Sequence, residues 1–332
     1  MQKILISIFL CIFSFHIQAQ KAIEGFIYNA KDTTAIVSAS VYFGGTSIGV
    51  ATNSKGFFSI EAPGQINPPL IISSLGYKVK VISNLSEVSK ENPIFLNENP
   101  ETLETVLLEA DPWTRRKKLA EFKREFFGYT KAASSMIIEN EDILELSYSP
   151  SKNTLTASTS QPLMVINRYL GYLITYDLIS FKITYKTNSS GLTSPYMSYY
   201  EGFAYFEESK KKIKNRFKRR RQRSYEGSIH HFMKALRNRS LAAEGYKIFK
   251  NKTEVKPYEH FNLTKNNDLV LVDVLSEKLN ILYKGSEQSL LITKGKFSID
   301  KLGNFAPEQN IILSGSMGGK RLADLLPPDF NK

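Results

Sequence analysis

A chain of 332 residues is long enough for two domains whose cores need no covalent staples, and 44 Lys+Arg against 32 Asp+Glu give it a formal net charge of +12. Its single cysteine, Cys11, falls within the first twenty residues, so the rest of the chain has no disulfide, no thiolate nucleophile and no thiolate metal ligand. Lys3 is the only charge before Lys21, Ile4 to Phe15 form an apolar stretch, and Ala19 is the small residue that precedes a cleavage point. The expectation is a cleaved signal peptide over 1–20 and an exported protein. The apolar stretch is short for a bilayer span, and nothing later approaches 18 uninterrupted apolar residues. The rival reading, lipidation of Cys11, runs against the bulky Ile8, Phe9 and Leu10 in front of it.

From Ala22 to about Asn97, apolar residues alternate or come in short runs between Gly, Asn, Ser and Pro clusters. The pattern predicts strands over Ile23 to Tyr28, Ala39 to Phe43, Ser47 to Ala51, Phe57 to Glu61, Leu70 to Ser74 and Lys78 to Ile82. That spacing predicts an antiparallel sandwich. Thr52 to Phe58 reads as a hairpin, with Asn53 and Ser54 favouring the turn and Gly56 able to take positive φ. Gly25, Ser38 to Val41, Gly45-Thr46, Gly49, Thr52 with Gly56-Phe57, and Ser74 to Tyr77 together resemble the carboxypeptidase regulatory-like domain. The resemblance implies a small transthyretin-like β-sandwich that is non-catalytic and occurs on envelope proteins of Gram-negative bacteria. Ile36-Val37 replaces the family's usual Pro-Leu, and Asn53 its Asp, so no role of that Asp carries over.

Residues 98–111 form an acidic linker with Pro100 and one short strand, Thr105 to Leu108. Asp111 as N-cap and Pro112 at the first position predict a helix with Leu119, Phe122 and Phe126 on its inner face, stopped at Gly128. Its basic residues are expected to face water. Strand signals dominate from Ile143 to Tyr185, and Tyr200 to Glu207 reads as another strand. Pro162-Leu163, Asn167, Leu170 to Tyr172, Tyr176 to Leu178 and the closing Arg321 to Phe330 resemble a region that often follows the regulatory-like module in uncharacterised envelope proteins. Residues 112–332 are therefore expected to be one β-rich α+β domain, with a basic helical insert over 208–239.

Within that insert, Lys210 to Arg223 carries ten basic residues and no acidic one, nearly the whole net charge. Three readings compete: a solvated structural helix, a binder of an anionic surface, and a nucleic-acid arm, the last disfavoured by export. The anionic surface would be an acidic glycan, an anionic lipid or an acidic envelope protein. Next comes Tyr225-x-Gly227-Ser228-x-x-His231-Phe232, the run most specific to the second resemblance. Ser228 is an N-cap, and Ile229, Phe232, Met233 and Leu236 share one helical face, with His231 pointing away from it. Arg219, Arg220, Arg221, Tyr225, Ser228, His231 and Phe232 are the candidate binding or structural hot spots.

Chemistry finds little footing. His230 and His231 are adjacent rather than four apart, so a zinc-helix pattern is missing, and no metal or cofactor is expected. There is no Gly-x-Ser-x-Gly elbow, and Gly315 to Lys320 is followed by Arg321 where a phosphate loop needs Ser or Thr, so it reads as a Gly-rich turn. Pairs such as Glu139 with Glu141, or Glu207 with Glu208, show no sign of burial. The expectation is a mainly β, periplasmic or outer-membrane-associated protein with a non-catalytic binding or scaffolding role. The rival is an enzyme acting on an envelope polymer through a site in the second domain.

Overall fold

A computed structural model of the chain describes residues 22–63, 68–99, 110–210, 213–328 and 330. The expected signal peptide, the expected linker strand Thr105 to Leu108, Lys211 and Lys212 lie outside these. The first unit is a two-sheet sandwich: β1 (Ala22–Asn29), β2 (Ser40–Phe43), β3 (Gly49–Ala51), β4 (Phe57–Glu61), β5 (Leu70–Ser73), β6 (Lys80–Ile82) and β7 (Ile94–Leu96). Strand order is β4-β1-β7 in one sheet and β3-β2-β5-β6 in the other. Ile23, Ile27, Val41, Phe43, Phe58, Leu70 and Ile72 meet between them. Every pair is antiparallel except β1–β7, which is parallel.

Thr52 to Phe58 forms the expected tight turn, with Gly56 at φ +73° and Asn53 Oδ1 accepting from Lys55 and Phe57 N–H at 2.9 and 3.1 Å. It is not a hairpin, however. The strands it joins, β3 and β4, lie in different sheets, so the turn carries the chain across the sandwich.

β2 and β5 are buried on both faces: Val41 and Ile72 point into the sandwich, while Tyr42 and Ser73 point outward against the next unit. That unit comprises α1 (Arg115–Phe127), β8 (Met136–Ile138), β9 (Glu145–Ser149), β10 (Thr154–Ser158), β11 (Leu163–Asn167), β12 (Tyr172–Thr187) and β13 (Thr193–Glu208). The sheet runs β8-β11-β12-β10-β9, with β13 also paired to β12. Phe122 and Phe126 of α1 pack on Tyr176 and Phe181 of β12, and Leu322 and Ala323 join the same core.

α1 starts later than the sequence suggested. Thr114 is the N-cap, accepting from Lys117 N–H at 3.3 Å, and Gly128 ends the helix at φ +99°. Asp111 instead accepts from the backbone of Trp113 and Tyr148 and pairs with Lys118 at 2.6 Å. Nor do the basic residues simply face water. Arg115 donates to the carbonyls of Leu144, Glu141 and Asp142, Lys117 lies over the Trp113 ring, and Lys123 pairs with Glu141.

α2 (Asn215–Tyr225) and α3 (Ile229–Arg237) lead into a third core. Around it lie β14 (Tyr246–Lys250), β15 (Thr253–Val255), β16 (Phe261–Asn266), β17 (Leu269–Val274), β18 (Lys278–Tyr283), β19 (Glu287–Thr293), β20 (Phe297–Ile299), β21 (Phe305–Ala306) and β22 (Ile311–Ser314). These make two sheets, β15-β14-β18-β19-β22 and β16-β17-β20-β21, that enclose Phe232, Met233 and Leu236 of α3. Gly315–Gly319, expected as a turn, forms a short helix α4 whose Met317 enters this core.

Candidate functional site

The basic run and the Tyr-x-Gly-Ser-x-x-His-Phe run meet at the α2–α3 corner. α2 begins at Asn215 rather than at Lys210, and its inner stripe is Phe217, Arg221 and Ser224. Arg221 is 1 % exposed. Its guanidinium donates to both carboxylate oxygens of Glu208 at 2.7 Å and to the Leu170 carbonyl at 3.0 Å, and it lies 3.8 Å from the centre of the Tyr172 ring. A planar fork is the cation such a site requires. Arg220 donates to the Tyr169 carbonyl at 3.1 Å over that residue's ring. Arg220 and Arg221 therefore anchor α2 to the loop before β12.

Arg219 is different. With Lys218 and Arg223 it is exposed and has no ion pair among the described residues, and exposed Arg216 lies over the Phe217 ring. Lys218, Arg219 and Gln222 share one stripe by helical spacing, and that stripe runs toward Tyr225 and Glu226.

Each named member of the Tyr-x-Gly-Ser-x-x-His-Phe run acts on the corner. Ser228 Oγ accepts from His231 N–H at 3.2 Å and starts α3, while Phe232 is fully buried. Gly227 takes φ +67°, and a Cβ there would stand 2.8 Å from Tyr283 and from Glu287. The Tyr225 ring lies 5.0 Å from the His231 ring. His231 is turned inward, at 7 % exposure, not away from the core as its helical position suggested. What draws it in is hydrogen bonding. Nδ1 accepts from Gly227 N–H at 3.1 Å and lies 3.0 Å from Tyr246 Oη, while Nε2 is 3.2 Å from Glu244 Oε2. An amide can only donate, so Nδ1 is the unprotonated nitrogen and Nε2–H donates to Glu244. Burial pushes the His231 pKa down, against the opposing pull of Glu244. A neutral imidazole with both nitrogens engaged inside the fold is poorly placed to move a proton to or from a ligand.

Beside it opens a cleft of about 490 Å³, lined by Gln222 and Tyr225 of α2, Lys234 of α3 and its C-cap Asn238, Glu244 and Lys284 among others. Glu226 pairs with Lys284 at 2.8 Å at its edge. Tyr225 Oη, Lys234 Nζ and Asn238 Nδ2 have no hydrogen-bond partner among the described residues. Sequence reading missed Glu244 and Lys284, which reach the corner from 13 and 53 residues beyond His231 with no local signal. It did single out the closing run, and that run is a clamp. Arg321 pairs with buried Glu125 at 2.8 Å, Asn167 donates to the Ala323 carbonyl at 2.9 Å, and Asp324 accepts from Ser224 and Thr130. Phe330 completes it against the Tyr225 ring at 5.3 Å. Among the described residues no group of three or more His, Cys, Asp or Glu could hold a metal ion, and no helix is long and apolar enough to cross a membrane.

Residues 23–108 match the family model of the CarboxypepD_reg-like domain. The N-terminal unit is a carboxypeptidase regulatory-like domain. The match is to a regulatory-like module rather than a catalytic one, and it ends before α1. No curated protein matches the chain.

The regulatory-like domain is seated on the sheet of the second unit through Asp177. That carboxylate is 4 % exposed and accepts from Ser73 Oγ at 2.6 Å and from Tyr42 Oη. Beside it the domain's 43–46 loop bonds to the outer edge of β13: Gly45 N–H donates to the Ala204 carbonyl at 2.8 Å, and Phe206 N–H to the Thr46 carbonyl at 3.0 Å. A covered strand edge and a satisfied buried carboxylate make this a specific docking surface.

Proposed function

We propose that this protein is a non-catalytic binding or scaffolding component of the cell envelope, exported to the periplasm or to the outer membrane. It engages an anionic partner through the exposed face of α2. The supporting observation is the split within one helix. Arg220 and Arg221 are consumed by internal contacts, whereas Lys218, Arg219 and Arg223 stay exposed without an ion pair among the described residues. Unpaired like charges within a few turns repel one another, by about 0.2–0.5 kcal/mol per i,i+4 pair. Fold stability therefore gives no reason to keep them, and an external anion does. The sequence supports the location, through the leader-like start and the regulatory-like domain.

The test replaces Arg216, Lys218 and Arg219 with Gln and measures association with anionic vesicles and with lipopolysaccharide at low salt. Binding should fall sharply while the melting temperature stays near that of the unmodified protein. Raising salt should mimic the substitutions, because exposed charges are screened beyond about 10 Å at 0.1 M. Unchanged binding would remove the reading.

The cleft beside His231 is the observation that favours an enzyme acting on an envelope polymer. It weighs less, because both ring nitrogens of His231 are held by Gly227, Tyr246 and Glu244.

A further inference from the structure

The α2 stripe does not end in open solvent. Lys218 and Arg219 lie one helical turn, about 5.4 Å, before Gln222 and about two turns before Tyr225, and both of those line the cleft. The cleft itself is charge-balanced: Glu226 and Glu244 face Lys234 and Lys284. Its volume of about 490 Å³ suits one small ring, within the roughly 300–1,000 Å³ of ligand pockets. Among the described residues its groups without a hydrogen-bond partner are the Tyr225 hydroxyl, the Lys234 ammonium and Asn238 Nδ2, and Glu244 adds an acceptor. Donors and acceptors mixed at close range suit hydroxyl groups, which do both.

We infer that the stripe and the cleft form one composite site for an acidic glycan. Lys218 and Arg219 hold its anionic groups while an adjoining sugar ring enters the cleft beside Tyr225 and Asn238. The inference rests on the proposed function, whose anionic partner it names. A flat lipid surface would meet the exposed stripe but would have nothing to place in a polar cleft. A linear polymer that carries charge and hydroxyls side by side uses both. Tyr225 is fixed for this role between His231 and Phe330, with ring centres at 5.0 and 5.3 Å.

The protein is titrated with oligogalacturonate and, separately, with phosphatidic-acid-containing vesicles, whose headgroup is a phosphate without hydroxyl-bearing substituents. The comparison uses two variants, Lys218→Gln with Arg219→Gln on the stripe, and Lys234→Ala with Asn238→Ala in the cleft. The stripe variant should lose both probes. The cleft variant should bind vesicles unchanged and bind oligogalacturonate at least about tenfold more weakly, since it removes two hydrogen-bonding groups and the charged one alone accounts for about that factor. Equal affinity of the cleft variant and the unmodified protein for oligogalacturonate would overturn the composite site. So would an unmodified protein that binds vesicles but not the saccharide, and both results leave the anionic-surface reading standing. Binding of neither probe at low salt would overturn both.

Discussion

Arg221 and Glu208 form a two-pronged ion pair in which the guanidinium is 1 % exposed and the carboxylate side chain about a third exposed. The pair ties α2 to the end of β13, and with Arg220 on the Tyr169 carbonyl it divides a uniform run of cations into an internal and an external set. Arg221→Gln leaves Glu208 unpaired and empties the contact on Tyr172, so it should cost about 2 kcal/mol, below the fully buried range because Glu208 is partly solvated. Arg219→Gln should change stability by less than about 0.5 kcal/mol. Chemical denaturation of the two single variants checks this, and equal midpoints would contradict the division.

Asp177 makes the seating of the regulatory-like domain pH-dependent. Burial raises its pKa above the usual carboxylate value, against the lowering effect of the Ser73 and Tyr42 hydrogen bonds. A raised folded pKa means that the folded state holds the proton more tightly than the unfolded chain. Asp177 therefore opposes stability increasingly as pH climbs from about 4, its unfolded value, through the raised folded one. Asp177→Asn removes that charge and still offers one acceptor oxygen to Tyr42 or Ser73. The variant should lose part of its stability near pH 4 and show a flatter stability profile between pH 4 and neutrality. Thermal melts across that range, compared with the unmodified protein, read the difference.

Glu125 responds in the opposite direction. Desolvation raises its pKa, but the hydrogen bonds from Ser198 and Tyr129 and the pairing with Arg321 outweigh it and hold the carboxyl below the ordinary value. Its contribution is complete above the unfolded pKa, about 4.3, and is lost as pH falls through the folded one. Glu125→Gln should lower the melting temperature at neutral pH and reduce the acid-induced loss. Identical acid limbs for variant and parent would show that other carboxylates set that limb.

Gly56→Val tests the turn that crosses the sandwich. At φ +73° a branched side chain is strained, and a Cβ would lie 2.5 Å from the Ile27 carbonyl, which is backbone and cannot move aside cheaply. The expected loss is about 2 kcal/mol or more. A midpoint within error of the unmodified protein would mean that the turn adopts another conformation.

What the sequence revealed and what it hid follow from the range of the forces involved. Ile23, Ile27, Phe58 and Ile72 were legible as a sandwich because alternation is a local signal, and the Ser228 cap with Phe232 and Leu236 was legible because helical spacing is too. β7 was missed since Ile94 to Leu96 is too short to alternate, and its partner β1 is more than sixty residues earlier. The inward turn of His231 was hidden for the same reason. Its position on the helix points it away from the core, and only Tyr246, Glu244 and the amide of Gly227 supply the reason to reverse that. Arg221 looked like its neighbours because the sequence cannot display Glu208 and Tyr172 on the far side of the packed helix.

The inward turn of His231 also makes it titratable in a defined direction. Burial lowers its pKa against the pull of Glu244, so the folded state favours the neutral ring. A base whose folded pKa lies below its unfolded value, about 6.5, gives stability that is complete above that pH and drains away as pH falls toward the folded value. A histidine-resolved NMR titration should place His231 below the free imidazole value of about 6.5. Glu244→Gln removes the group that favours the charged ring and should depress the His231 pKa further, while a catalytic base relying on that carboxylate would instead show its activity profile move with it. His231→Ala should cost about 2 kcal/mol, because it strands the Gly227 amide and empties the space between Tyr225, Tyr246 and Tyr283. A His231 pKa at or above the free value would contradict the assigned hydrogen bonds, since a protonated Nδ1 cannot accept from Gly227.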